Sequence, residues 1–285
     1  MNPYPRRPTD ARKGDFGHVL VVGGSPVFHG CLVFNAKGAL AAGADLVTVA
    51  APRRAADLAA CGNPDLITVP FEASHPDAAA RRAVLALADR FDAAVVGAGV
   101  ERTPAAHRGI LALVAALEVP LVLDAEALRA LAKDPGAIAG RRALLTPHGG
   151  EFEALAGDRV ADRPLAARKE AVRRAARRLH ATVLLKGARD VVSDGRRVAV
   201  DPYGSPLMTK GGWGDLLAGV AGALLARGLA PFDAGRHAAA IVGRAGERAG
   251  RALGEGAVVS RALDEVPRAI GDLFQRKGTG RKRKT

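Results

Sequence analysis

The sequence contains few cysteines and few aromatic residues. Its two cysteines, Cys31 and Cys61, form no CxxC pair and lack a paired-histidine spacing, which excludes a zinc site and a disulfide framework. We therefore assign no metal-ligating residue and predict a reducing, cytoplasmic location. Aromatic residues make up 4% of the chain, which leaves few rings to stack on nucleic-acid bases.

Long hydrophobic runs are also missing. The longest, near residues 216–226, is about half the length that a membrane span needs. Residues 1–15 are polar and rich in proline, which is not the pattern of a targeting segment. We therefore expect no membrane partner and no anchor.

Acidic residues are fewer than basic residues, 29 against 42, and the formal net charge is +13. Six of the positive charges lie in one terminal run: Arg276, Lys277, Arg281, Lys282, Arg283 and Lys284. A terminal basic run is more often a solvated tail than a binding module, so we do not expect a nucleic-acid partner. We predict a single domain over residues 1–274 and a basic, disordered tail over residues 275–285.

Several widespread catalytic motifs are absent. The sequence has no GxxxxGK[ST] P-loop, no GxSxG nucleophile elbow and no HExxH zinc motif. Gly97-Ala98-Gly99 follows a predicted strand, but Arg102 occupies the position where a Rossmann turn needs its third glycine. These absences exclude P-loop kinases, a Rossmann dinucleotide turn at this point, the common serine hydrolases and the zinc proteases.

Short β-branched runs alternate with alanine-rich helical stretches, a pattern typical of βαβ units around a parallel sheet. Buried strands are predicted at residues 18–22, 45–50, 66–69, 92–96, 120–123, 143–146 and 182–185. Helices are predicted near residues 31–42, 77–90, 105–118, 126–132, 150–156, 164–180, 214–227, 231–253 and 261–274. Residues 191–193 and 198–200 predict a hairpin with Asp194-Gly195 at its turn. The fold class is therefore α/β, with a mainly parallel central sheet and a short hairpin near residues 190–200.

The segment 208–219 carries the strongest chemical signal. Gly211, Gly212 and Gly214 let successive backbone N–H groups point into one concavity, and the helix that follows directs its positive dipole end to the same point. This pattern predicts an anion site. Asp215 in the first helical turn has two interpretations: it caps the helix, or it accepts a proton from a hydroxyl that attacks a phosphoryl group.

The run Gly211-Gly212-Trp213-Gly214-Asp215, followed by Leu217-Ala218-Gly219, resembles the anion hole and catalytic aspartate of the ribokinase-like superfamily. Within that superfamily, four further stretches are similar to motifs of the ADP-dependent NAD(P)H-hydrate dehydratases. They are residues 13–25 (KGDFGHVLVVGGS), 121–128 (LVLDAEAL), 146–152 (TPHGGEF) and 184–188 (LLKGA). Because these stretches follow the family order, the resemblance implies a ribokinase-like three-layer αβα sandwich.

The resemblance also implies an activity, the ADP-dependent dehydration of the (S)-epimer of NAD(P)H hydrate with release of AMP and phosphate. Asp215 would deprotonate or orient the ring hydroxyl beside Gly212 and Gly214. The implied substrate-binding residues are Cys31, Gly99, Asp124, His148 and Asp215. The implied nucleotide-binding residues are Lys186, Gly187, Ala188, Arg189, Asp190 and Gly214.

The same resemblance implies Mg²⁺ and a nucleotide, ADP or ATP, as phosphoryl donor. It further implies a separate NAD(P)H-hydrate epimerase as partner, and we expect a homo-oligomer. Asp124, at the end of a predicted strand, keeps two interpretations, a contact to ligand or metal-bound water and a helix N-cap. Asn35 and Lys37 lie on the first predicted helix, and their spacing does not decide whether they face the cleft.

Some residues depart from the family pattern. Glu101 stands in place of a glycine, Cys31 in place of an alanine beside the substrate, and Trp213 in place of a serine or threonine in the anion loop. Glu101 and Trp213 keep open a binding protein that retained the fold and lost the chemistry. The main enzymatic alternative is an ATP-dependent kinase of the same fold that acts on a small alcohol such as a sugar, thiazole or pyrimidine.

Overall fold

A computed structural model describes residues 2–160 and 162–274. Within these ranges one sheet of nine strands forms the centre of the molecule. The strands are β1 (His18–Val22), β2 (Leu46–Pro52), β3 (Ile67–Phe71), β4 (Ala93–Val96), β5 (Leu121–Leu123), β6 (Ala143–Leu145), β7 (Thr182–Leu185), β8 (Val191–Ser193) and β9 (Val198–Val200).

The strand order is β3-β2-β1-β4-β5-β6-β7-β8-β9. The first seven strands in this order are parallel, while β8 and β9 continue the sheet as an antiparallel hairpin. The order reverses between β1 and β4, where the loops that leave the two strands diverge. Open α/β sheets bind ligands at the carboxyl ends of strands beside such a reversal.

Helices cover both faces of the sheet. They are α1 (Gly30–Ala41), α2 (Arg53–Gly62), α3 (Ala78–Leu85), α4 (Pro104–Ala116), α5 (Glu126–Leu131), α6 (Gly149–Ala156), α7 (Leu165–Leu179), α8 (Trp213–Ala226), α9 (Pro231–Leu253), α10 (Val259–Ala262) and α11 (Glu265–Phe274). Apolar side chains of α1, α2 and α8 to α11 form the core on one face, and those of α3 to α7 form the core on the other.

The central strands are buried on both sides, which explains their continuous apolar sequence. In β1, Val19 and Val21 pack into one core, whereas Leu20 and Val22 pack into the other. Each of these four side chains is at most 1% exposed. This is the period-2 alternation of a strand whose two faces are both covered by helices.

The predicted α/β architecture is confirmed, including the hairpin at residues 191–193 and 198–200. Helix α2, a ten-residue helix that directly follows Pro52, was not predicted from the sequence. The helix predicted over residues 261–274 is two helices, α10 and α11. Pro267 explains this break, because a proline has no N–H to donate to the carbonyl of residue 263 and its ring clashes with that carbonyl.

No helix in the described ranges is both long and apolar enough to cross a bilayer. The predicted tail over residues 275–285 lies outside the described residues.

Candidate active site

The predicted site residues follow four different strands of the parallel sheet. Gly99 follows β4, Asp124 follows β5, His148 follows β6 and Lys186 follows β7. The carboxyl ends of parallel strands lie at one edge of the sheet, so the topology brings these segments together. The N-terminus of α8, which carries Asp215, meets them there.

Two adjoining cavities open at this edge. The first has a volume of about 670 Å³ and the second about 660 Å³. Three residues, Ala125, Gly212 and Asp215, line both. The carboxylate of Asp215 therefore stands where a ligand of one cavity would meet a ligand of the other.

The α8 N-terminus presents free backbone donors at this junction. Gly212 precedes the helix with a φ of +98°, a conformation that favours glycine, and no described side chain caps this end. The first N–H groups of a helix have no intrahelical partner, so they are available to an anion. The cap interpretation of Asp215 is therefore wrong, because its side chain does not satisfy these donors.

Lys186 is held in the site by two carboxylates. Its Nζ lies 2.8 Å from Oδ1 of Asp124 and 3.8 Å from Oε2 of Glu151. Thr146 Oγ1 also donates to Asp124 Oδ1, at 2.8 Å. Burial alone would lower the pKa of Lys186, but the two carboxylates raise it above its ordinary value, so the ammonium stays charged.

This network decides between the two interpretations of Asp124. Its side chain, which is 2% exposed in the folded chain, binds Lys186 and Thr146. The N-cap of α5 is instead Ala125, which makes no side-chain cap bond. The N-cap interpretation is therefore wrong, and Asp124 acts on the site through the position and charge of Lys186.

Asp215 has the properties of a base that works near neutral pH. Burial and the nearby carboxylate of Asp124 raise its pKa to about 7, while Lys186 and the Asn35 side chain lower it. Of the two α1 residues whose orientation the sequence left open, Asn35 is fully buried and its side chain acts on Asp215, whereas Lys37 lines neither cavity. A carboxylate in this pKa range can both accept and release a proton at physiological pH.

The loop after β7 forms one wall of the first cavity. Gly187, Ala188 and Asp190 line it, but Arg189 does not. Asp190 Oδ1 accepts a hydrogen bond from Gly187 N at 2.8 Å, which fixes the turn, and burial raises its pKa to about 6. The Arg189 carbonyl accepts from Arg168 at 3.0 Å, so Arg189 contributes its backbone to holding the loop.

His148 lines the first cavity and begins α6. Its Nδ1 accepts from Glu151 N at 3.4 Å, and Glu151 Oε2 accepts from His148 N at 2.9 Å, which together form a capping box; Nδ1 also accepts from Gly150 N at 3.0 Å. The sequence predicted a contact between His148 and the substrate. The structure places His148 in the first cavity with the loop after β7, rather than in the second cavity with Cys31 and Gly99.

The second cavity has an apolar wall and a charged wall. Cys31, Phe28 and Phe34 contribute to the apolar wall, and Gly99 fits because a Cβ there would overlap the Cys31 sulfur. Burial raises the pKa of the Cys31 thiol to about 12, so the thiol is neutral. Glu101, the departure noted in the sequence, also lines this cavity.

The charged wall contains a buried ion-pair network that the sequence analysis missed. Glu126, only 8% exposed, accepts from His107 Nε2 at 2.7 Å and pairs with Arg102 Nε at 3.2 Å. The Arg102 side chain itself is 67% exposed and lines the second cavity. No motif marks this network, because its members come from a loop and two helices.

Two further features of the junction were not predictable from motifs. Ala125 has a φ of +49°, and among the described residues it shares such a positive φ outside glycine only with His180. Backbone strain of this kind persists where the surrounding structure enforces it, and it concentrates at functional sites. Trp213 is 5% exposed, lines the first cavity, and its Nε1 has no hydrogen-bond partner within the described ranges.

Comparisons with known proteins agree with this geometry. Residues 19–268 match the family model described as NAD(P)H-hydrate dehydratase. The chain is 40% identical over 250 residues to the ADP-dependent (S)-NAD(P)H-hydrate dehydratase of Cenarchaeum symbiosum, covering 86% of this chain and 85% of that protein. It is 40% identical over 269 residues to the bifunctional NAD(P)H-hydrate repair enzyme of Pyrobaculum aerophilum, covering 93% of this chain and 52% of that protein. The chain thus spans about half the length of such bifunctional relatives.

A solved structure shares the fold. The ADP/ATP-dependent NAD(P)H-hydrate dehydratase from Bacillus subtilis, co-crystallized with ATP and Mg²⁺, has a TM-score of 0.76 at 23% sequence identity, with 94% of each chain covered. The predicted ribokinase-like fold is confirmed.

Proposed function

The chain belongs to the NAD(P)H-hydrate dehydratase family, and we propose that it catalyses the ADP-dependent dehydration of (S)-NAD(P)H hydrate. The reaction would yield NAD(P)H, AMP and phosphate. The observation that carries the proposal is the position of Asp215, a buried carboxylate with a pKa of about 7, at the junction of two large cavities.

The first cavity would take the nucleotide and the second the hydrate. The first contains the glycine loop, the free α8 donors and the loop after β7, which suit phosphates. The second, at about 660 Å³, has room for more than a small alcohol. Its Phe28 and Phe34 suit a ring, and Arg102 suits the diphosphate of a dinucleotide.

The chemistry proceeds in two steps. Asp215 accepts the proton of the ring hydroxyl, and the hydroxyl oxygen forms a bond to the β-phosphorus of ADP while the bond from that phosphorus to the bridging oxygen breaks, releasing AMP. Phosphate then leaves the ring carbon with the former hydroxyl oxygen, and the neighbouring carbon loses a proton as the double bond returns. The α8 N–H groups stabilise the charge on the transferring phosphoryl group.

Magnesium fits this site through the nucleotide rather than through a protein cage. No group of three or more histidine, cysteine, aspartate or glutamate side chains in the described part of the chain is arranged to hold a metal ion. Mg²⁺ commonly keeps several waters and binds substrate phosphates with one or two carboxylates, and Asp124 and Glu151 are the acidic oxygens near Lys186. When bound with the nucleotide, Mg²⁺ would neutralise phosphate charge.

The decisive experiment is turnover of chemically prepared NADH hydrate with ADP. We expect recovery of absorbance at 340 nm together with one AMP and one phosphate for each NADH formed. ATP in place of ADP tests the choice of donor, and NADPH hydrate tests the choice of substrate. A stable phosphorylated alcohol without recovery of absorbance would instead support the small-alcohol kinase.

The cellular context follows from the same family membership. We propose that the chain works beside an NAD(P)H-hydrate epimerase, because its bifunctional relatives combine repair functions in a chain about twice as long. Homo-oligomerisation is a further proposal, which the mass of the protein in solution would test.

A further inference from the structure

The first cavity holds more carboxylates than ammonium groups, although its proposed ligand is a polyanion. Its ionisable carboxylates are Asp124, Glu151, Asp190 and Asp215, and its ammonium groups are Lys186 and Lys210. Like charges this close oppose the binding of phosphate. Besides the Mg²⁺ that would come with the nucleotide, phosphate binding therefore calls for a protein cation that is not already neutralised.

Lys186 does not meet this requirement alone. Its ammonium is 2.8 Å from Asp124 and 3.8 Å from Glu151, so two carboxylates already share its single charge. A Cβ on Gly214 would lie 3.2 Å from the Lys186 Nζ, so the ammonium also packs against the start of α8. Lys186 balances the acidic groups around Asp215 and leaves the first cavity short of positive charge.

Lys210, unlike Lys186, has no buried carboxylate as its ion-pair partner in the described ranges. Its side chain is 30% exposed, and its ion-pair partner in the described ranges is Glu255 at 3.5 Å, whose own side chain is 89% exposed. Exposed pairs of this kind contribute only about 0–1 kcal/mol, so the Lys210 ammonium can exchange Glu255 for a ligand at little cost. Lys210 also lines the first cavity.

The sequence position of Lys210 indicates which part of the ligand it meets. Lys210 lies directly before Gly211 and Gly212, in the loop that runs into the α8 N-terminus. The phosphoryl group that is transferred must lie at that terminus, beside Asp215. Resting on the proposed function, we infer that Lys210 binds the terminal phosphate of the nucleoside diphosphate and supplies the free cationic side chain that this cavity otherwise lacks.

The test compares ADP with AMP, which lacks the terminal phosphate. Isothermal titration calorimetry of the full chain, with and without Mg²⁺, would give both dissociation constants. We expect Lys210→Gln to raise the dissociation constant for ADP about tenfold, as for the loss of one charge-assisted hydrogen bond. The constant for AMP should change less than about twofold, because AMP makes no contact with this ammonium.

Two control variants separate binding from structure. Lys210→Arg keeps the charge and should retain ADP binding. Glu255→Gln removes the partner while leaving Lys210 in place, so ADP should bind as tightly as to the parent or more tightly. The inference would be overturned if Lys210→Gln weakened the binding of ADP and of AMP equally, or weakened neither. It would also be overturned if Glu255→Gln bound ADP as weakly as Lys210→Gln does. A parent chain that binds no ADP would overturn the proposed function as well.

Discussion

The substitution Asp215→Asn should abolish turnover and at the same time stabilise the fold. Burial and the Asp124 charge hold the Asp215 pKa at about 7, against 3.8 for an ordinary aspartate. Each pH unit of this difference corresponds to about 1.4 kcal/mol, so the charged carboxylate destabilises the folded state by about 4 kcal/mol once it is fully ionised. Asparagine has nearly the same shape and carries no charge.

The sign of this effect sets its pH dependence. Because the pKa is raised in the folded state, the destabilisation is absent below pH 3.8, grows between 3.8 and about 7, and is complete above that value. The stabilisation of the variant relative to the parent should therefore be about 2 kcal/mol at pH 5 and about 4 kcal/mol at pH 8. For a chain of this size these values correspond to increases in Tm of about 4 °C and about 8 °C.

Thermal unfolding of parent and variant at the two pH values measures this difference directly. Asp57→Asn, which removes an exposed carboxylate on α2, is the matched control and should leave Tm nearly unchanged at both. If the Asp215→Asn variant gains no more stability at pH 8 than at pH 5, the Asp215 pKa is not raised, and the argument that it is a base poised near neutrality fails. If the variant turns over hydrate at the parental rate, Asp215 is not the base.

Three further predictions concern the Asp215 carboxylate, the Lys186–Asp124 ion pair and the packing of α8 against α1. The parental kcat/KM should rise with pH to a plateau above about pH 7, since Asp215 accepts a proton only as carboxylate, and a flat profile would contradict this. Lys186→Met should lower the free energy of unfolding by about 3 kcal/mol, because it leaves Asp124 buried without its cation. Chemical denaturation should show that adding Asp124→Asn restores part of this stability. Gly219→Ala should lower the free energy of unfolding by about 2 kcal/mol in the same assay, because a Cβ there overlaps the Asn35 carbonyl oxygen. Unchanged stability would disprove that close packing.

The sheet was predictable because a short run of consecutive residues is enough to mark each strand. A strand buried on both faces is a continuous run of β-branched and aliphatic residues, which located the central strands, and the Asp194-Gly195 turn located the hairpin. The predicted boundaries lie within two residues of the observed ones. Helix α2 was missed although its alanines and arginines favour a helix, and the spacing of Ala55, Ala56 and Ala59, which are buried on one side, was the signal for it. The α10–α11 break required Pro267 to be weighed against an otherwise helical pattern.

The glycine loop before α8 was equally local, because glycines and an aspartate within five residues define the α8 N-terminus. What surrounds Asp215 is not local. Asn35 reaches it only because α1 and α8 are in close contact, with Gly219 against the Asn35 backbone and Gly38 against Leu216. No spacing within either helix predicts that contact, so the sequence left the orientation of Asn35 undecided.

The electrostatics of the junction link the two cavities. An anionic phosphoryl group beside Asp215 would raise the pKa of that carboxylate further, and a protonated Asp215 cannot accept the hydroxyl proton. The donors of the α8 N-terminus, the ammonium of Lys210 and a nucleotide-bound Mg²⁺ act in the opposite direction. Under the proposed function, the base would therefore stay competent only if the phosphate arrives with its positive partners, which would couple proton acceptance in one cavity to correct nucleotide binding in the other.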